Sequence, residues 1–179
     1  MKILSFDVSA RAVGWAFWDS MSISCFGTIE DSSRSMLQRL RNMDYEVQKL
    51  CGQLLGESKC YFEKIDKWDK NGKPKKVTYI PHTIFLIEDG FVAGKKPTLA
   101  LGKARYMVEN VLFDYCEPIE DKCIKYFLPA VWRKALFGEK SQVKSKEQIV
   151  EDIRKRGYDV KNDDEADAVG MLLGYFNME

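Results

Sequence analysis

Four acids stand where a folding chain has little use for them. Glu88 closes an apolar run, Ile84, Phe85, Leu86 and Ile87, bounded by Pro81 and Gly90, and such a run fits a strand buried on both faces of a sheet. Asp7 lies near the end of another apolar run, KILSFDV at residues 2 to 8. Asp164 and Asp167 open the last helical pattern three residues apart, which places both on one face of a first turn. A solvated loop start accounts for a single acid at a strand end. First-turn acids such as Asp163 and Glu165 are ordinary helix stabilisers worth about 0.3–1 kcal/mol each. Neither explanation covers Asp167, which sits among Ala166, Ala168, Val169, Leu172 and Leu173 on a face built for close packing.

Gathered together, four carboxylates raise one another's pKa values by repulsion and burial, and divalent cations held by oxygen alone remove the conflict. All-carboxylate ligation selects hard ions, so the expected cofactor is Mg²⁺, two per site, with Mn²⁺ as a substitute. Two such ions about 3.5–4 Å apart clamp a phosphodiester, one activating water and the other stabilising the leaving 3′ oxygen. The chemistry expected of these residues is nuclease-type hydrolysis.

An α/β chain is needed to position them. Residues 2–8 and 12–19 read as a hairpin turning at Ser9-Ala10-Arg11, and Ile23, Cys25, Gly27 and Ile29 alternate as a third strand should. Residues 32–55 carry helical spacing, Met36, Leu37, Leu40, Met43, Val47, Leu50 and Leu54. The charged stretch that follows, around Asn71-Gly72-Lys73-Pro74, reads as an inserted hairpin or flap with Lys73, Lys75 and Lys76 at its tip. Next come the Glu88 strand, a helix over 99–115, a fifth strand over 123–128, and helices over 130–137, 144–156 and 164–176. The sum is a mixed five-stranded sheet with helices on its faces, one domain over 1–179 with an insertion at roughly 57–82.

With 179 residues and 45% hydrophobic content, the chain supports one core, burying about 70% of its unfolded surface. A net charge of +1 gives no general attraction to polyanions, so a nucleic acid must be met by local patches. Five cysteines, Cys25, Cys51, Cys60, Cys116 and Cys123, form no C-x-x-C pair, and His82 is the single histidine. That pattern reads as reduced, packed thiols in a cytoplasmic setting and argues against a zinc site. The N-terminus carries no leader pattern and no run reaches membrane-spanning length; a soluble, untargeted protein is expected.

The sequence resembles the RuvC family of Holliday junction resolvases, ribonuclease H-like proteins, and in particular its compact phage members. Asp7-Val8-Ser9-Ala10-Arg11-Ala12-Val13-Gly14-Trp15 looks like the family's first motif, and Glu88-Asp89-Gly90-Phe91 like its second. Leu101-Gly102-Lys103-Ala104-Arg105 is similar to the opening of its next helix, and Asp164-Glu165-Ala166-Asp167-Ala168 matches its closing D-x-x-D-A. The likeness spans nearly the whole chain except the insert, which the compact bacterial proteins lack. It departs at Ser5, where a Gly usually stands, and at Val8, where a Pro does.

The resemblance implies a homodimer that binds a four-way DNA junction and nicks two opposing strands symmetrically with Mg²⁺. It implies Asp7, Glu88, Asp164 and Asp167 as metal ligands, Phe91 as an aromatic inserted at the junction, and Arg133 as a basic residue beside the active site. Lys140 and Lys144 both answer to the family's next lysine, Lys140 by local wording and Lys144 by distance to Asp164. The resemblance also suggests the long helix from Leu99 as the dimer surface. Core packing for Phe91 and solvation for the charges are the plainer alternatives. DNA contact is assigned to Lys73, Lys75 and Lys76, to Lys95 and Lys96, and to the stretch from Arg133 through Lys146. Rival readings are a RuvC-like nuclease acting on flaps, wider branched DNA or RNA, a YqgF-type protein, and a catalytically inactive nucleic-acid-binding module of the same fold. An actin-like kinase fragment lacks its Gly-rich phosphate loops here.

Overall fold

Five strands pair in the order β3-β2-β1-β6-β7 in a computed structural model that describes residues 1–56, 59–90, 95–138 and 145–178, side chains 95–97 excepted. β1 (Lys2–Val8), β2 (Ala12–Trp18) and β3 (Ile23–Glu30) form the expected antiparallel meander. β6 (Thr83–Glu88) joins β1 in parallel, and β7 (Ile124–Phe127) joins β6 in parallel. Between them, β4 (Tyr61–Trp68) and β5 (Pro74–Pro81) make a separate two-stranded antiparallel hairpin, the inserted flap of the sequence reading. Its turn is held by Asp69, whose Oδ1 accepts from the backbone N–H of Asn71 and of Lys73, both at 2.8 Å.

Strand alternation sorts the core into two layers. Leu4, Phe6 and Val8 of β1, with Phe85 and Ile87 of β6, pack under α1 (Met36–Leu55) and α2 (Lys95–Cys116). Ile3 of β1 and Ile84 and Leu86 of β6 pack on the other face, under α4 (Pro129–Phe137), α5 (Lys146–Lys155) and α6 (Asp163–Phe176). The parallel register pairs Ile3 with Ile84 and Phe6 with Ile87. One step further, the same phase turns Asp7 and Glu88 toward α6.

Of the boundaries that differ from the sequence reading, two have clear local reasons. α1 begins at Met36 rather than 32, because Asp31 Oδ1 takes the Ser33 N–H at 2.7 Å and holds residues 31–33 in a turn. The expected fifth strand loses its first residue, since Cys123 ends a one-turn helix, α3 (Glu120–Cys123), whose two leading acids suit a helix start. Among the described residues no helix is long and apolar enough to cross a membrane.

Candidate active site

Asp7, Glu88, Asp164 and Asp167 converge at one end of the sheet. Asp7 feels all three others: burial first, then the charges of Glu88, Asp167 and Asp164, push its carboxyl well above the usual range, with Lys146 opposing. Burial also raises Asp164, which borders Asp163. Asp167 is pushed up to about 7, mainly by burial, although the Arg133 guanidinium pulls the other way. Glu88 is raised by burial against the hydrogen bond it accepts from Trp132.

Close backbone approach brings α6 to the acids. Gly14, paired with Asp7 across β1 and β2, has no room for a side chain: a Cβ there would lie 2.1 Å from the Asp164 carbonyl oxygen. Ser5, fully buried, donates its hydroxyl to the Ala168 carbonyl at 2.8 Å, with the Ala16 carbonyl at 3.2 Å. Ser5 thus ties β1 to α6 one position past Asp167. Ser5→Ala is expected to cost about 1–2 kcal/mol, read as a lower denaturation midpoint at unchanged slope. At the helix start, Asn162 Oδ1 accepts from the Glu165 N–H at 2.9 Å and from Thr28 Oγ1 at 3.1 Å, and buried Glu165 accepts from the Lys161 N–H at 2.7 Å. Glu165 is therefore a structural acid, engaged in holding the turn before α6.

Positive groups ring the cluster. Arg133 Nη2 meets Asp167 Oδ2 at 3.0 Å, while its Nε is buried without a hydrogen-bond partner. Trp132 Nε1 donates to Glu88 Oε2 at 2.9 Å. Its ring and backbone fill a groove in α6 at Gly170 and Gly174, where a Cβ would come within 2.7 Å of Trp132 Cζ3 and of Trp132 O, respectively. Lys146 pairs with Asp163, and its charge also reaches Asp7 and Asp167. Beyond Glu88, Asp89 is held by Arg105 and by its own N–H to the Phe127 carbonyl at 2.7 Å. Arg105 also pairs with Glu109 at 2.9 Å and lies 4.6 Å over the Tyr126 ring. Asp89 is thereby committed to shaping the turn.

Of the other residues singled out by sequence, Phe91, Lys140 and Lys144 lie outside the described residues. Lys95 and Lys96 fall in the first turn of α2, with side chains outside them too. Lys73, Lys75 and Lys76 are exposed on the β4–β5 hairpin, a sheet separate from the one that carries Asp7 and Glu88. Sequence reasoning missed Trp132 as a partner of Glu88, and it placed Lys146 in a DNA-contact stretch rather than facing the acids. The Trp132-Arg133 dipeptide gave a signal, since two such side chains at the start of a short helix seldom serve only packing. For Lys146 the one hint was its place in a helix capped by Ser145.

By donor type the set suits hard divalent cations, four carboxylates, all raised, with no thiol or imidazole in the group, although no three of them bring their oxygens within 4.8 Å of one another. His82 stacks against Phe62 instead, with ring centroids 4.4 Å apart.

Strand order and helices on both faces define an α/β fold of the ribonuclease H-like class. Within that class the fold is RuvC-like. Thermus thermophilus RuvC in complex with a Holliday junction substrate superposes with a TM-score of 0.66 at 13% identity, covering 99% of this chain and 93% of that one. A second Thermus thermophilus RuvC structure gives 0.63 at 14%, covering 99% and 94%. No protein-family model matches the sequence, and no curated protein matches it.

Proposed function

We propose that this chain is a metal-dependent endodeoxyribonuclease that resolves four-way DNA junctions by paired, symmetric nicking. The carrying observation is the convergence of Asp7, Glu88, Asp164 and Asp167 on one face of the sheet, each raised by burial. Nothing in folding calls for buried like charges. Mg²⁺ held there would supply water activation and leaving-group stabilisation. Arg133 fixes the Asp167 carboxylate, Trp132 orients Glu88, and Lys146, whose charge reaches Asp7 and Asp167, offers a second positive charge to a phosphate entering the site.

The likeness to a junction-bound RuvC supports branched DNA as the substrate, and the hairpin adds an electrostatic arm. Residues 61–81 hold six lysines against three acids, net +3, so the remainder of a chain totalling +1 is at −2. Phe62 and Trp68 are exposed on the same hairpin, and aromatics among lysines suit unpaired bases beside phosphates. Replacing Lys73, Lys75 and Lys76 together by Gln is expected to weaken junction binding and to reduce the slope of log K against log salt by about 2–3, measured by titration at several salt concentrations. An unchanged slope would remove the hairpin from the DNA-binding surface.

A homodimer completes the reading, because two opposed nicks need two sites. Leu99, Tyr106 and Phe113 lie exposed at seven-residue spacing along α2, an outward stripe opposite the buried Ala104, Val108 and Val111.

The test is to incubate the protein with a labelled four-way junction, a linear duplex and a flap, each with Mg²⁺ or EDTA, and to sediment it with and without DNA. Symmetric nicks in the junction alone, abolished by EDTA, with a dimer in sedimentation, are expected. Equal cutting of linear or flapped DNA would replace junction resolution by a broader nuclease. Binding without cutting would leave an inactive DNA-binding module.

A further inference from the structure

Three cysteines remote in sequence meet in the core away from the carboxylates. Cys60 stands just before β4, Cys116 ends α2, and Cys123 ends α3 ahead of β7. Cys60 Sγ lies 3.4 Å from Cys116 Sγ and 3.2 Å from Cys123 Sγ, and all three sulfurs fall within 4.8 Å of one another. Their exposures are 2%, 0% and 0%. Among the described residues, no other His, Cys, Asp or Glu joins the group.

We propose that Cys60, Cys116 and Cys123 form a second metal site, selective for a soft, thiophilic cation of the Zn²⁺ or Cu⁺ kind, that fastens the base of the β4–β5 hairpin to the sheet. Thiolates select such ions over the hard ions suited to carboxylates, so one chain sorts two metals by donor softness. The spacing is suitable: sulfurs bound about 2.3 Å from one ion at tetrahedral angles lie about 3.8 Å apart, a small expansion of the present contacts. The sulfurs are also placed by backbone bonds that need no ion. The Cys60 N–H donates to the Tyr115 carbonyl at 3.1 Å, and its own carbonyl accepts from His82 at 2.9 Å and Thr83 at 3.1 Å. Cys116 O accepts from Ile119 N–H at 2.7 Å, and the Cys123 N–H donates to Ile119 O at 3.2 Å. On binding, each thiol releases its proton to solvent and its sulfur lone pair forms the metal bond, so no oxidant is consumed. Three thiolates suffice for Cu⁺, whereas Zn²⁺ would need a fourth donor, which the described residues do not place beside these buried sulfurs. The site stands independently of the nuclease reading.

The three chain segments meet where the insertion leaves the sheet. An ion there cross-links the hairpin base, the C-terminal end of α2 and the approach to β7, which no single hydrogen bond does.

The test is metal analysis of protein purified under reducing conditions, then anaerobic titration with Zn²⁺, Cu⁺ and Co²⁺ in excess Mg²⁺, which occupies the carboxylates. One equivalent is expected, with the intense sulfur-to-cobalt charge-transfer band that carboxylates do not give, and a rise in Tm of about 5–10 °C at saturation. Tighter retention of Zn²⁺ or of Cu⁺ identifies the ion. Cys60→Ser and Cys123→Ser are expected to lose the equivalent, and Cys25→Ser to keep it. Thiol alkylation of the unmodified chain serves if a variant fails to fold: bound ion should protect three thiols, and a chelator should release them. Absence of the charge-transfer band, an equivalent retained in both serine variants, or three thiols alkylated equally with and without ion would overturn the site. So would a disulfide between Cys60 and either neighbour that forms in air while metal is refused.

Discussion

Asp7→Asn is expected to abolish junction cleavage, by about 10³-fold or more, and at the same time to stabilise the metal-free protein above neutral pH. The first effect follows from removing a carboxylate central to the cluster: a thousandfold loss corresponds to about 4 kcal/mol of transition-state stabilisation, within what metal placement supplies. The second follows from the direction of the Asp7 shift. Its carboxyl is raised in the fold by burial and by Glu88, Asp167 and Asp164, so the native state binds more protons than the unfolded chain. Its contribution is most favourable below the ordinary carboxylate pKa and declines as pH rises through the interval up to its folded value. Asp167, raised to about 7, behaves in the same direction, losing stability between about pH 4 and 7. Metal-free wild type should therefore lose Tm from pH 5 to pH 8, and Mg²⁺ should restore it. Asp7→Asn should flatten the profile, gain about 1–3 kcal/mol at pH 8 relative to wild type, and respond little to Mg²⁺. Thermal unfolding at the two pH values with and without Mg²⁺ checks this. A destabilised Asp7→Asn at pH 8 would mean that the acids are not in conflict.

Gly14→Ala is expected to damage activity more than it damages stability. The added methyl would sit 2.1 Å from the Asp164 carbonyl oxygen and 2.4 Å from its carbonyl carbon, both backbone atoms, so no rotamer relieves the clash. β2 or the start of α6 must move. Overpacking of this kind costs about 1–3 kcal/mol, sometimes more, which is about 2–12 °C in Tm for a chain of this size. The same displacement carries Asp164 off its position beside Asp7, and a misplacement near 1 Å costs about 10²-fold in rate. Gly52→Ala in α1 is the control, since a Cβ there meets nothing within 4 Å and a helical Gly→Ala change stabilises by about 0.5–1 kcal/mol. Cleavage rate at saturating DNA, measured below the variant's unfolding range, separates the two effects. An undiminished rate in Gly14→Ala would detach Asp164 from the chemistry.

The sheet was legible because β1 and β6 are apolar runs bounded by turn residues and β3 alternates. Ile3, Ser5 and Asp7 in β1, and Ile84, Leu86 and Glu88 in β6, share a side because side chains repeat every two residues. The D-x-x-D spacing placed Asp164 and Asp167 in the same way. What stayed hidden depends on contacts between distant segments. Ser5 reads as a departure from a family Gly until its hydroxyl is found on the Ala168 carbonyl. Trp132 carries no role in the sequence until its indole nitrogen is found on Glu88. The cysteines of α2, α3 and the hairpin base show no local spacing motif, so the sequence argued against the cluster that the fold creates. Lys146 escaped because its role depends on where α5 starts relative to α6, which helical periodicity does not encode.

The seat of Trp132 in α6 has a consequence for how this sequence can drift over generations. Gly170 meets the edge of the indole, so a lineage that shrinks the ring can admit Ala at 170, and the two positions are free to change as a pair. Gly174 meets the Trp132 carbonyl oxygen, which every residue at 132 carries. No exchange at 132 compensates for a side chain at 174. Of the three positions, 174 is the one whose history is decided by the approach of two helices rather than by its partner's identity, and it holds α6, with its acids, at a single depth.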